Sequence, residues 1–98
     1  MVRVEWHNDA RNDLIQVYSY IYQDSIHYAI KTIDEIAKLA DTLAILPYIG
    51  RKIPEYDVQN KRELIYKSYR IMYKIESNTV VIHRIWHSAR QMPKRLIS

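Results

Sequence analysis

From Tyr69 to His87 the sequence YRIMYKIESNTVVIHRIWH falls into two largely alternating apolar–polar runs separated by Ser77-Asn78. Alternation with a period of two calls for extended chain with one face buried. A two-residue interruption leaves room for little besides a tight hairpin turn. A third run, Arg62 to Tyr66, precedes these across another two-residue gap, Lys67-Ser68, so a meander of three antiparallel strands is expected. A two-residue loop at Ser77-Asn78 would pair Glu76 with Thr79 and thereby fix every later pair. Tyr69, Ile71, Tyr73 and Ile75 then share a face with Val80, Ile82 and Trp86, with Arg84 an exception at the margin. The opposite face receives Arg70, Met72, Lys74, Val81, His83, Ile85 and His87. Glu63 and Ile65 join it from the preceding strand, and Arg90 lies just beyond.

The first half has a different period. Val2, Val4 and Trp6 alternate as a short strand, and Asn8 is placed to cap a helix with Asp9 in its first turn. Ala10, Leu14, Val17, Tyr18 and Ile21 then recur at helical spacing. Ser25 caps a second helix whose apolar stripe runs through Ile26, Ala29, Ile33, Ile36, Ala37, Ala40 and Leu43, with Pro47 as its stop. The short link at Gln23-Asp24 makes the two helices antiparallel neighbours. Gly50 is the only glycine, at the turn from helix to sheet, where unusual backbone angles are expected. A polar loop from Arg51 to about Asn60 and a basic, loosely held tail from Arg90 to Ser98 complete the chain. The expected fold is α+β: an N-terminal strand and an antiparallel helical hairpin packed on one face of a small antiparallel sheet, in one domain spanning 1–98.

Nothing in the chain is apolar for long enough to cross a bilayer or resemble an export signal, and there is no cysteine. A cytoplasmic protein without thiolate chemistry is the expectation. The net charge is +4, and nine of the fifteen basic residues follow Asn60, which points to a polyanion or an acidic partner as readily as to a solubilising surface. Glu63, Arg70 and His87 on one uncovered face offer an acid, a guanidinium and an imidazole. Equally, Glu63 and Arg70 could form no more than a cross-strand ion pair. His83 and His87 share that face, but no carboxylate or cysteine completes a metal set, so neither metal nor cofactor is expected.

Several short motifs stand in order along nearly the whole chain: Ala10…Asp13-Leu14, Pro47…Gly50-Arg51, Pro54-Glu55, Arg62-Glu63-Leu64, Tyr69-Arg70-Ile71-Met72-Tyr73 and His87-Ser88-Ala89-Arg90. Together they resemble the RelE/ParE superfamily, the toxin halves of type II toxin–antitoxin modules, whose fold is a helical hairpin on a small sheet. The resemblance implies a cognate small antitoxin as partner in a hetero-oligomer. It also implies one of two activities: ribosome-dependent mRNA cleavage by metal-independent 2′-hydroxyl attack, or non-catalytic inhibition of DNA gyrase. For cleavage, position-by-position likeness assigns Glu55 as base, Arg70 and Arg90 to phosphate and His87 as acid. Lys61, Arg62, Lys74 and Arg84 would be further phosphate contacts. The chain departs from RelE itself in carrying Glu63 at a lysine place and Leu96 near the place of a terminal tyrosine, so only the histidine-containing set of the YoeB-like subgroup could operate. The charged face tips this reading toward the nuclease.

Overall fold

The computed structural model describes residues 1–97. In chain order the elements are β1 (Arg3–Trp6), α1 (Asn8–Tyr22), α2 (Ile26–Asp41), a 3-10 turn (Thr42–Ala44), β2 (Arg51–Lys52), β3 (Lys61–Tyr66), β4 (Tyr69–Glu76) and β5 (Thr79–His87). The meander forms as the alternation requires, with Lys67 and Ser77 each taking a φ of 52° as first residue of a two-residue loop. The sheet order is β1-β5-β4-β3-β2, and the helical hairpin covers one face. The sheet is mixed, because β1 lies parallel to β5, from Arg3 opposite Thr79 to Trp6 opposite Ile82. No helix among the described residues is long and apolar enough to cross a membrane.

Local chemistry sets the helix ends. Ser25 caps α2 as expected, its hydroxyl accepting from the Tyr28 N–H. At α1 the cap is His7 rather than Asn8: its Nδ1 accepts from the Asp9 N–H at 3.1 Å. The 3-10 turn carries Leu43 into the core before Pro47 is reached. Ala10, Val17, Ile36, Ala40 and Leu43 from the helical side pack on Ile71, Tyr73, Ile75, Val80, Ile82 and Ile85.

One irregularity redirects half of β5. Pairing follows the expected register from Glu76–Thr79 to Tyr73–Ile82, and then Met72 stands opposite Arg84, leaving His83 as the extra residue of a β-bulge. Every side chain beyond it changes face. Ile85 turns under the helices, whereas the expectation was the uncovered side. Trp86, expected under the helices, turns away from them and stands opposite Arg70, and His87 goes with Ile85 to stand opposite Tyr69.

The face away from the helices is not bare. Met72 and Trp86 are buried there by Ile53 of the connecting loop and Ile97 of the tail, all at most 4% exposed, with Tyr56, Met92 and Leu96 around them. The tail expected to be loose is therefore docked. The Ile97 N–H donates to the Tyr56 hydroxyl, Lys61 Nζ donates to the Ile97 carbonyl, and Trp86 Nε1 donates to the Arg90 carbonyl. The bulge decides which layer each side chain meets: strict alternation would put Trp86 under the helices and Ile85 against the tail, and the extra residue exchanges them. Gly50 also differs from expectation, having no positive φ. It lies so close to β3 and Tyr73 that a Cβ would sit 2.5 Å from the Glu63 carbonyl oxygen and 2.6 Å from the Tyr73 hydroxyl.

Candidate functional site

Arg70 stands mid-sheet on the tail-covered face, its side chain 10% exposed and each of its three guanidinium nitrogens bonded to a carboxylate. Nε donates to Glu63 at 2.7 Å, while Nη1 and Nη2 grip Glu55 as a fork at 3.0 and 2.6 Å. Glu63 is fully buried and also accepts from Arg51 Nε at 2.6 Å. The result is a four-member chain, Arg51–Glu63–Arg70–Glu55, in which the two buried charges neutralise each other. The hydrogen bond from Arg70 holds the Glu55 carboxyl below its ordinary value, and Glu55 first, then Glu63, raises the Arg70 pKa. A carboxylate held this way is a weak base, and phosphate could take the Nη edge of this guanidinium only by displacing Glu55. Glu63 and Arg70 form the ion pair allowed by the alternation, with Glu63 opposite Met72 and Arg70 opposite Ile65.

His87 lies on the other face. Its Nδ1 accepts from the Ala89 N–H at 3.1 Å, which leaves the proton of the neutral ring on Nε2, and the ring meets Tyr69 edge-on at 5.3 Å between centroids. His87 and Arg90 line a cleft of about 330 Å³ with Asp13, Gln16, Tyr20 and Tyr69. The Arg90 guanidinium stacks on the Trp86 ring at 4.1 Å. The structure thus brings Glu55 to Arg70, and His87 to a cleft that Arg90 also lines, but it puts Arg70 and His87 on opposite faces of the sheet.

The four cations expected at phosphate are engaged within the chain. Arg62 donates to the carbonyls of Tyr48, Gly50 and Gln59 and to the Gln59 side chain. Lys61 holds the tail at Ile97 and sits over the Tyr56 ring, and Lys74 pairs with Glu76 at 3.2 Å. Arg84 makes a two-pronged bond to Asp13 at 2.7 and 2.9 Å, and its pKa is raised chiefly by that bond. Sequence reasoning gave Asp13 no role, although it is the hinge between α1 and β5. β1 ends opposite Ile82, so the Ile85 N–H beyond it has no strand partner on that side, and Asp13 accepts it at 3.0 Å. The buried acid one turn into α1, and the Arg84 that broke the alternation, were the two sequence signals of this pair.

The stacked imidazoles of His7 and His83, 5.3 Å apart, tie the start of α1 to the bulge, and burial, then His7, lowers the His83 pKa. Among the described residues no cluster of three His, Cys, Asp or Glu could hold a metal. Apolar exposure concentrates on the helical hairpin. Trp6, Leu14, Ile15, Tyr18, Ile33 and Ala37 line a groove of about 560 Å³, and Ile15, Tyr20, Ile26 and Ile30 are each at least half exposed. The apolar groove between the two helices marks an interaction face.

Residues 4–92 match the family model described as the ParE toxin of the type II toxin–antitoxin system parDE. Among solved structures, the chromosomal ParDE system of P. aeruginosa aligns with a TM-score of 0.74 at 21% identity, covering 89% of this chain and 96% of that one. The RelBE2 toxin–antitoxin complex of Mycobacterium tuberculosis aligns with a TM-score of 0.63 at 22% identity, covering 88% and 96%. None of the curated proteins compared matches in sequence.

Proposed function

Because the chain belongs to the ParE toxin family and is the toxin of a type II toxin–antitoxin module, we propose that it arrests growth by binding a protein target, DNA gyrase, in the cytoplasm rather than by cutting mRNA. The observation that carries this reading is the placement of Arg70 and His87 on opposite faces of the sheet, with both Nη atoms of Arg70 already filled by Glu55. Cleavage by general acid–base chemistry needs an acid, a base and a phosphate-binding cation around one scissile group, within hydrogen-bond reach. Here the candidate base neutralises the candidate phosphate ligand, and the candidate acid faces the helices. A binding toxin needs instead an exposed, partly apolar face, and the helical hairpin provides one. The solved relatives are toxin–antitoxin complexes, which supports a cognate antitoxin as the partner that neutralises this chain.

The test expresses the chain without antitoxin and follows DNA and protein synthesis by pulse labelling, with a gyrase supercoiling assay on the purified protein. Supercoiling should fail while translation continues, and His87→Ala should remain toxic. New mRNA ends within minutes of induction, lost in His87→Ala, would overturn the proposal and restore the nuclease.

A further inference from the structure

Glu55 and Glu63 both bind Arg70, but they are built differently. Glu63 is fully buried within a strand, fixed from both sides by Arg51 and Arg70. Glu55 is 42% exposed at the apex of a turn. The foot of that turn is held independently: Ile53 is buried with its N–H bonded to the Lys61 carbonyl, and its own carbonyl accepts from Tyr56 and Asp57. Glu55 can therefore leave Arg70 by rotating its side chain, with the turn intact. Above the pair lies an open pocket of about 500 Å³, lined by Arg51, Pro54, Glu55, Ile65, Lys67, Arg70 and Ser88. Three cations line it, and Lys67 binds the Tyr28 hydroxyl rather than a carboxylate. With Glu55 turned away, these three cations would face the single carboxylate of Glu63.

We propose that this pocket is a carboxylate-binding site which the chain fills from its own loop, and that an acidic segment of a partner protein exchanges its carboxylate for Glu55 on Arg70. The fork geometry at Nη1 and Nη2 is already that of a bidentate guanidinium–carboxylate pair, so an incoming Glu or Asp replaces like with like. Exchange leaves the buried Glu63–Arg70 bond in place, so the guanidinium stays oriented throughout. The surplus charge of Lys67 and Arg51 favours an incoming segment with more than one acid. The partner assignment rests on the reading of the chain as one half of a toxin–antitoxin pair, whereas the site itself does not.

Glu55→Ala empties the slot and allows it to be refilled from solution. Melting temperatures of the parent, Glu55→Ala and Glu55→Gln would be measured in acetate, phosphate and chloride at equal ionic strength, above pH 6. Acetate should raise the melting temperature of Glu55→Ala relative to chloride by on the order of 5 °C once it exceeds its dissociation constant about tenfold. It should leave the parent unchanged. Hexaglutamate should bind Glu55→Ala about tenfold more tightly than the parent, and Glu55→Gln, which keeps the turn filled, should show the same ordering if Glu55→Ala fails to fold. Equal behaviour in all three salts would overturn the site and leave Glu55 as a brace. Phosphate outperforming acetate would overturn the carboxylate assignment. Acetate rescue without any gain for hexaglutamate would overturn exchange with an acidic segment. None of these readings depends on toxicity.

Discussion

Replacing Gly50 with alanine should be among the most damaging single-methyl changes in the molecule. The added carbon would lie 2.5 Å from the Glu63 carbonyl oxygen, 2.6 Å from the Tyr73 hydroxyl and 3.0 Å from the Glu63 carbonyl carbon. Carbon normally keeps about 3.5 Å from its non-bonded neighbours, so the backbone must retreat by roughly 1 Å. β3 cannot yield easily, since its other side is paired to β4 along six residues. If the Gly50 segment moves instead, it loses the buried bond from its N–H to the Tyr73 hydroxyl (3.0 Å) and the bond from Arg62 to its carbonyl (2.8 Å). Overpacking costs about 1–3 kcal/mol, and an orphaned buried polar group about 1–3 kcal/mol. The two overlap, and a loss of about 2–5 kcal/mol is expected, or roughly 10–30 °C in melting temperature for a domain of this size. Urea unfolding followed by circular dichroism measures it, with Ile49→Ala as the neighbouring control at an exposed site. A Gly50→Ala variant within about 0.5 kcal/mol of the parent, the range of neutral surface changes, would refute the close-approach argument.

Asp13→Asn should cost about 2 kcal/mol by urea unfolding, because Arg84 loses its partner charge while Ile85 keeps an acceptor. Deleting residues 92–98 uncovers Met72, Ile53 and Trp86, so Trp emission should shift to longer wavelength and stability should fall by about 2–3 kcal/mol, the value of one large buried aliphatic. His83 faces His7 and Asp9 from the β1–α1 junction and Lys74 and Glu76 from β4, and its folded pKa lies below the ordinary 6.5. Its stability contribution is therefore complete above that value and is lost as pH falls from 6.5 through the folded pKa. His83→Gln should flatten stability against pH across that interval.

The meander and both helices were legible because each relied on one local rule: period two with two-residue gaps, or an apolar stripe behind Ser25. The facing of β5 was not, since strict alternation assumes a single buried side, and the second apolar layer comes from Ile53 and Ile97, remote in sequence from Trp86. The sequence did carry a trace of the bulge. His83-Arg84 followed by Ile85-Trp86 breaks the alternation twice, and treating Arg84 as a marginal exception hid the inserted residue. The same slip placed His87 beside Arg70. Family likeness singled out Glu55 and Arg70 but did not say that they bind each other, because a motif gives residue types and not who satisfies whom. Gly50 was singled out for backbone freedom, whereas the real constraint is space.

The parallel seam between β1 and β5 has a consequence for how the molecule is made. Its earliest strand can find its sheet neighbour only after the last strand has been synthesised. Until then the amphipathic helices have only part of their sheet to lie on, since Val80, Ile82 and Ile85 of β5 are missing from the core. The nascent chain presents the rest of their oily side to whatever is nearby. A second protein able to grip that side could engage the unfinished chain, so that neutralisation begins as assistance in folding rather than as capture of a completed poison.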